Sequence, residues 1–87
     1  MYHVYILKLA NSNLYTGSCS NIKNRLLAHK LGKVKSTKNY RPVKLLHCEA
    51  YLLKSDAQRR ERFLKTSDGK RLLKQQIRDI LREERII

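Results

Sequence analysis

The chain of 87 residues has only two cysteines and no acidic residue before Glu49. It also has no apolar run approaching the roughly 18 residues that a membrane span requires. Each shortage excludes something. Cys19 and Cys48 show no Cys-x-x-Cys spacing and no secretory context, so neither a zinc site nor a disulfide framework is indicated. Both are expected as free thiols that pack as small hydrophobes. The first residues, Met1 to Ala10, lack the layout of a signal peptide, and a cytoplasmic location is the expectation. The missing acids matter most. Lys8, Lys23, Arg25, Lys30, Lys33, Lys35, Lys38, Arg41 and Lys44 have no neighbouring carboxylate in sequence to offset them. Any carboxylate chemistry must come from Glu49, Asp56, Glu61, Asp68, Asp79, Glu83 or Glu84.

What is present is positive charge on a foldable chain. Twenty Lys and Arg against seven Asp and Glu leave a net charge of +13. A surface like that binds polyanions by releasing their counterions, and nucleic acid is the usual partner. The bland alternative is a solvated basic surface on a ribosome-associated or membrane-surface protein. With 41% hydrophobic and 31% charged residues, the composition suits a folded domain rather than a disordered segment. One domain over residues 1–87 is expected from the length.

Tyr2 to Leu9 is rich in aromatic, β-branched and aliphatic residues and reads as a strand. Ala10 to Asn13 supplies turn residues, and Leu14 to Ser18 returns as the second arm of a hairpin. Ser20 or Asn21 can cap a helix that runs to about Leu31 and ends at Gly32. Gly32 to Arg41 is a basic loop by composition, Pro42 closes it, and Val43 to Leu53 reads as a third strand. Ser55 and Gln58 have the spacing of a capping box for a helix reaching about Lys65. Thr66 to Gly69 then interrupts, and a last helix begins near Lys70 with Leu73, Ile77, Ile80 and Leu81 at helical spacing. The order ββαβαα, without repeats or a linker, predicts an α+β fold: a small three-stranded, mainly antiparallel sheet flanked by helices.

Three sets of residues could carry chemistry. Tyr5 and Tyr15 lie one on each arm of the hairpin, where a tyrosine can also serve simply by burying its ring and bonding its hydroxyl. Arg25 and His29 are four apart and share a helix face; Arg offers a rigid fork for phosphate and His a donor or proton relay, although both could equally sit in water. Glu61 falls in line with Ala57 and Leu64, on the stripe that should face the sheet. A carboxylate there needs a partner. Lys65 or Arg60 could supply a salt bridge, or the carboxylate could ligate a metal.

His3-Val4-Tyr5 and, nine residues later, Tyr15-Thr16-Gly17 resemble the two tripeptides that name the GIY-YIG endonuclease superfamily. The stretch from Gly17 to His29, with Arg25 within it, resembles that superfamily's arginine helix. Arg41 to Leu45 resembles its third strand, and Ala57 to Lys65 its glutamate helix. The likeness spans roughly residues 2 to 81, with all five pieces in order. His3 stands in place of the first Gly, Thr16 in place of the second Ile, and Cys19 and Asn21 where small relatives usually show Thr and Asp. These departures touch backbone packing and capping, and the chemical side chains are all present.

The resemblance implies a metal-dependent endonuclease cutting DNA or structured nucleic acid, similar to the catalytic domain of the nucleotide-excision-repair incision subunit, with DNA repair as the setting. It implies that Tyr5 is the general base or orients the water, supported by Tyr15, while Arg25 holds the scissile phosphate and His29 assists. Glu61 would hold Mg²⁺ or Mn²⁺. A single carboxylate suits Mg²⁺, which keeps several waters. Lys33, Lys35, Lys38, Arg41 and Lys65 are the expected contacts to nucleic acid, and no membrane is expected. A non-catalytic basic binding module with the same fold is the alternative, and a catalytic subunit targeted by a protein partner is a third reading.

Overall fold

Two strand-forming stretches joined by a polar turn make the hairpin on which everything else is assembled. In the computed structural model, which describes residues 1–87, β1 (Tyr2–Lys8) and β2 (Leu14–Cys19) pair antiparallel, from His3 opposite Cys19 to Lys8 opposite Leu14. The turn closes with the Leu9 amide donating to the Asn13 carbonyl, and the Asn11 side chain accepts from the Asn13 amide. β3 (Lys44–Tyr51) pairs antiparallel with the other edge of β1, with a register step after Ile6. The strand order is β2-β1-β3, so β1 is central and β2 and β3 are rims.

A strand sends alternate side chains to opposite faces. Val4 and Ile6 point one way and Tyr5 and Leu7 the other, and all four are buried. A central strand covered on both faces reads as an almost unbroken apolar run, which is what Tyr2 to Leu9 shows. On the Val4 face lie α2 (Lys54–Leu64), α3 (Ser67–Gln76) and α4 (Arg78–Glu83). Ala57, Leu64, Leu73, Ile77 and Leu81 complete the apolar core with Val4 and Ile6. α1 (Ile22–Lys30) and the following segment, with a short 3₁₀ turn at Lys38–Tyr40, attend the Tyr5 face.

The α+β class and the antiparallel sheet are as the sequence predicts, but the C-terminal half differs in three places. α2 begins at Lys54 with extended Leu53 at the cap position and no side-chain cap bond, so the expected Ser55–Gln58 capping box does not form. The expected interruption at Thr66 to Gly69 is shorter, confined to Lys65 and Thr66, and α3 already starts at Ser67 because the Thr66 hydroxyl accepts from the Gly69 amide at 3.0 Å. Gly69 fits there because a Cβ would lie 1.9 Å from the Phe63 carbonyl, so only glycine lets the two helices approach this closely. The expected last helix divides at Ile77, which leaves helical geometry at φ −110 and ψ 29. On a straight helix, Leu73 and Leu81 would drift apart by about 80° around the axis. With the break at Ile77, Leu73, Ile77 and Leu81 are all buried in one core.

β3 is fastened to α2 by charge rather than by apolar contact alone. The Arg60 guanidinium donates from Nε and Nη2 to the two oxygens of Glu49 at 2.9 and 3.1 Å. The Tyr51 hydroxyl donates to Glu49 at 2.7 Å, and His47 Nε2 lies 2.9 Å from the other oxygen. Burial alone would raise the Glu49 carboxyl, but the bonds from Arg60, Tyr51 and His47 outweigh it and hold the carboxyl at about 2. No helix is long and apolar enough to cross a membrane.

Candidate active site

Tyr5 is the centre of the second face. It lies opposite Gly17 of β2 and Cys48 of β3, and its side chain is fully buried. The hydroxyl fits only because of its neighbour: a Cβ on Gly17 would stand 2.4 Å from the Tyr5 oxygen. That oxygen lies 2.8 Å from His29 Nε2 and accepts from Arg25 Nε at 3.3 Å.

α1 delivers both partners. The Asn21 side chain caps it by accepting from the Asn24 amide at 3.0 Å, which sets the helix phase. Arg25 and His29, one turn apart, then both reach Tyr5. Gly32 ends the helix at φ +76, and the chain turns back with Val34 and Thr37 buried. Thr37 Oγ1 lies 2.8 Å from His29 Nδ1, so both ring nitrogens of a fully buried histidine are satisfied. Tyr15 leans edge-on against His29, ring centres 5.3 Å apart, and its hydroxyl accepts from Ser36 at 3.4 Å.

Electrostatics fixes the resting state. Burial, and then the positive charge of Arg25, push the His29 pKa below its ordinary value. Burial raises the Tyr5 pKa against the opposing Arg25 hydrogen bond. A neutral imidazole therefore faces a protonated phenol.

Glu61 lies at the β2 rim. Its Oε1 accepts from the Ser18 hydroxyl at 2.6 Å and its Oε2 meets Lys65 Nζ at 2.9 Å. Burial would raise its carboxyl, but the Ser18 and Lys65 bonds more than offset this, and the group stays ionised. Of the two salt-bridge partners that the sequence offered, Lys65 is used and Arg60 goes to Glu49. The structure gathers no group of three or more His, Cys, Asp or Glu. The Glu61 site offers one ionised carboxylate, which is the donor set of a hard cation that keeps most of its waters and not that of a multi-carboxylate cluster. Lys65, with 57% of its side chain exposed, can swing away from Oε2.

The Tyr5 and Glu61 groups touch consecutive residues of β2 from opposite sides of that rim strand: Gly17 receives Tyr5 and Ser18 holds Glu61. Of the expected nucleic-acid contacts, Lys33, Lys35 and Lys38 are exposed on the segment that covers His29. Arg41 spends Nε on the Lys38 carbonyl and Nη1 on the Lys30 carbonyl, fastening that segment to the end of α1. Ser18 and Thr37 are the site neighbours that sequence reasoning missed. Ser18 could have been found, since it directly follows Gly17; Thr37, inside a basic loop, carries no spacing signal. Cys19 and Cys48 are free thiols.

Comparison with known proteins agrees with this arrangement. The GIY-YIG catalytic domain profile matches residues 1–74. A UPF0213 protein of Staphylococcus haemolyticus is 42% identical over 74 residues, covering 84% of this chain and 90% of that one. A UPF0213 protein of Clostridium perfringens is 42% identical over 66 residues, covering 75% and 71%. The solution NMR structure of a UPF0213 protein from Bacillus halodurans superposes with a TM-score of 0.54 at 31% identity, covering 84% of this chain and 82% of that one. By sequence match, sheet order and domain coverage, the chain belongs to the GIY-YIG family of nuclease domains.

Proposed function

We propose that this chain is an endonuclease that hydrolyses phosphodiester bonds in nucleic acid, DNA first, with a divalent cation, Mg²⁺ or Mn²⁺, held by Glu61. The observation that carries the reading is the chain of hydrogen bonds from Arg25 through Tyr5 and His29 to Thr37, with an ionised carboxylate, Glu61, on the other side of the same rim strand.

A buried phenol with a raised pKa is a poor free base. The His29 contact removes that difficulty. With Nδ1–H donating to Thr37, Nε2 is an acceptor for the Tyr5 O–H, while Arg25 donates to the Tyr5 oxygen. As water attacks phosphorus, Tyr5 takes the water proton and passes its own to His29 Nε2. The new O–P bond forms, the opposite P–O bond breaks with its electron pair passing to the leaving oxygen, which takes a proton from solvent, and His29 holds the water-derived proton as imidazolium. Tyr15 packs against that ring and keeps it in place. The Arg25 Nη groups, not used by Tyr5, are free to bind a non-bridging oxygen. A cation held by Glu61 would supply Lewis-acid stabilisation of the phosphate and the leaving oxygen. Lys33, Lys35, Lys38 and Lys65 contribute sequence-independent attraction to the backbone.

The test is a panel of labelled single strands, duplexes and branched nucleic acids with Mg²⁺, with Mn²⁺ and with EDTA, on the parent protein and on Glu61→Ala and Glu61→Gln. Metal-dependent cleavage by the parent that both variants lose, at unchanged melting temperature, supports the reading. The Glu61–Lys65 ion pair favours a second one, a binding module in which the carboxylate only fastens α2. Loss of stability in both variants, with no cleavage by the parent on any substrate, selects that module.

A further inference from the structure

Thr16 and Ser18 are two residues apart on β2 and so lie on the same side of the rim strand, about 6.8 Å from one another. Ser18 meets Glu61. Thr16 opens onto something else: a cleft of ≈ 450 Å³ between the hairpin tip and α3. Its volume is within the roughly 300–1,000 Å³ of small-molecule sites. The floor is apolar, with Leu64 and Leu73. The rim is polar, with Asn13 and Thr16 on the hairpin side and Lys70 and Lys74 on α3.

Those lysines are four apart on one helix, where like charges repel. Neither has a carboxylate partner, a state they share with most of the chain's basic residues; what sets them apart is that both line the rim of one cleft with an apolar floor. An anion between them would relieve the repulsion. The cleft therefore combines an apolar floor for a nucleobase, an amide and a hydroxyl for its edge, and two cations for phosphates.

We propose that this cleft takes one unpaired nucleotide of the strand that passes Glu61, adjacent to the scissile phosphate. The base enters the cleft, its edge meets Asn13 and Thr16, and the flanking phosphates meet Lys70 and Lys74. A base paired within a continuous duplex cannot enter, so the chain favours single-stranded or locally unpaired nucleic acid. This rests on the reading of Glu61 as part of the hydrolytic site, but it is tested by binding and needs no cleavage.

The experiment measures affinity of the full chain for a ten-nucleotide oligothymidylate and for a blunt duplex, at several salt concentrations. Lys70→Glu/Lys74→Glu is compared with Arg78→Glu/Arg82→Glu, which makes the same charge change on α4. The cleft variant should lose at least about tenfold more single-strand affinity than the α4 variant. Its single-strand salt slope should fall by about 1.4, at roughly 0.7 per lost phosphate contact. The two variants should be alike on the duplex. Equal losses from both variants on both ligands would overturn the proposal, as would no loss from the cleft variant. A second readout removes no charge: on adding thymidine trinucleotide, the backbone amide resonances of Asn13 and Thr16 should shift in the parent, and Asn13→Ala should weaken binding. Shifts confined to residues 33–41 would also overturn it. If Glu61→Gln still cuts while these results hold, the hydrolytic reading fails and the nucleotide subsite stands.

Discussion

The two faces of the sheet are covered by opposite means. Against Val4 and Ile6, three helices contribute Ala57, Leu64, Leu73, Ile77 and Leu81, and the contact is apolar. Against Tyr5, α1 contributes only one fully buried residue, His29, while Leu27 and Leu31 remain 53% and 54% exposed. α1 is thus seated on the sheet largely by the hydrogen bonds that His29 and Arg25 share with Tyr5. One face holds the fold through non-directional burial, and the other holds a geometry through directional bonds. The side chains that position α1 are also those proposed for proton transfer and phosphate binding, so stability and activity are entangled on the second face; on the first, the buried apolar positions are separable from Glu61 at the rim.

The sharpest way to break this comparison is a deletion in the apolar face. Leu81→Ala empties a fully buried position and should cost about 2–5 kcal/mol in thermal unfolding. Cleavage measured below the lowered melting temperature should be kept; its loss there would show that the two faces are coupled. On the other face, Arg25→Lys keeps charge but gives up the fork and should slow cleavage by about 10²–10³, roughly 2.7–4 kcal/mol, with little change in binding. An unchanged rate would make Arg25 an ordinary surface residue.

Glu49 tests the apolar face by acid. Its carboxyl is depressed from 4.5 to about 2 in the fold, so its contribution is fully present above the unfolded value and is lost as pH falls from 4.5 through 2. The contribution is on the order of 3 kcal/mol. Unfolding free energy should fall over that window, and Glu49→Gln should flatten the curve; an unaltered curve would mean that Arg60 and His47 do not hold the carboxylate in solution. His29 tests the other face in a different window. Its pKa is lowered from 6.5, so the neutral, accepting form is lost only at pH below that ordinary value. Cleavage should be flat from neutral pH upward and fall in acid, whereas a rate still climbing at pH 10 would identify a free Tyr5 phenolate instead. Thr37→Val leaves His29 Nδ1 without its hydrogen-bond partner and should cost about 1–3 kcal/mol of stability, while slowing cleavage. Stability lost without any change in rate would reduce Thr37 to a packing residue. The smallest effect belongs to Lys65→Ala, which removes an exposed i,i+4 pair worth about 0.3–0.5 kcal/mol. A loss several times larger would mean that Glu61 depends on Lys65 rather than on Ser18.

Local signals were legible where one residue's chemistry decides the backbone. Ser20 or Asn21 reads as a cap and Asn21 is the one; Asn11 and Asn13 read as a turn; Gly32 reads as a helix end and has positive φ. They failed where a tertiary contact competes. Ser55 and Gln58 have the spacing of a capping box, yet α2 begins one residue before Ser55, with Leu53 at the cap. The break at Ile77 has no Gly or Pro to announce it; it answers to the shape of the core around Leu81. At the site, helical spacing was enough to put Arg25 and His29 on one face, and the family resemblance alone grouped Tyr5 with them. Neither was enough to find Thr37, because a loop residue's partner depends on how the chain folds back. Nor could spacing show that Arg41, counted among the basic contacts, has two of its donors on backbone carbonyls.

Gly17 leaves no clearance above the Tyr5 hydroxyl, since the first carbon of any side chain would overlap it. The position therefore works as a mechanical stop whose setting is a single methyl group. Gly17→Ala alters no charge and removes no functional group, yet Tyr5 must tilt or β2 must lift away. Either movement drags on His29 from one side and on Ser18, the next residue, from the other. A chemist seeking to inactivate this domain without touching a reactive atom would begin there.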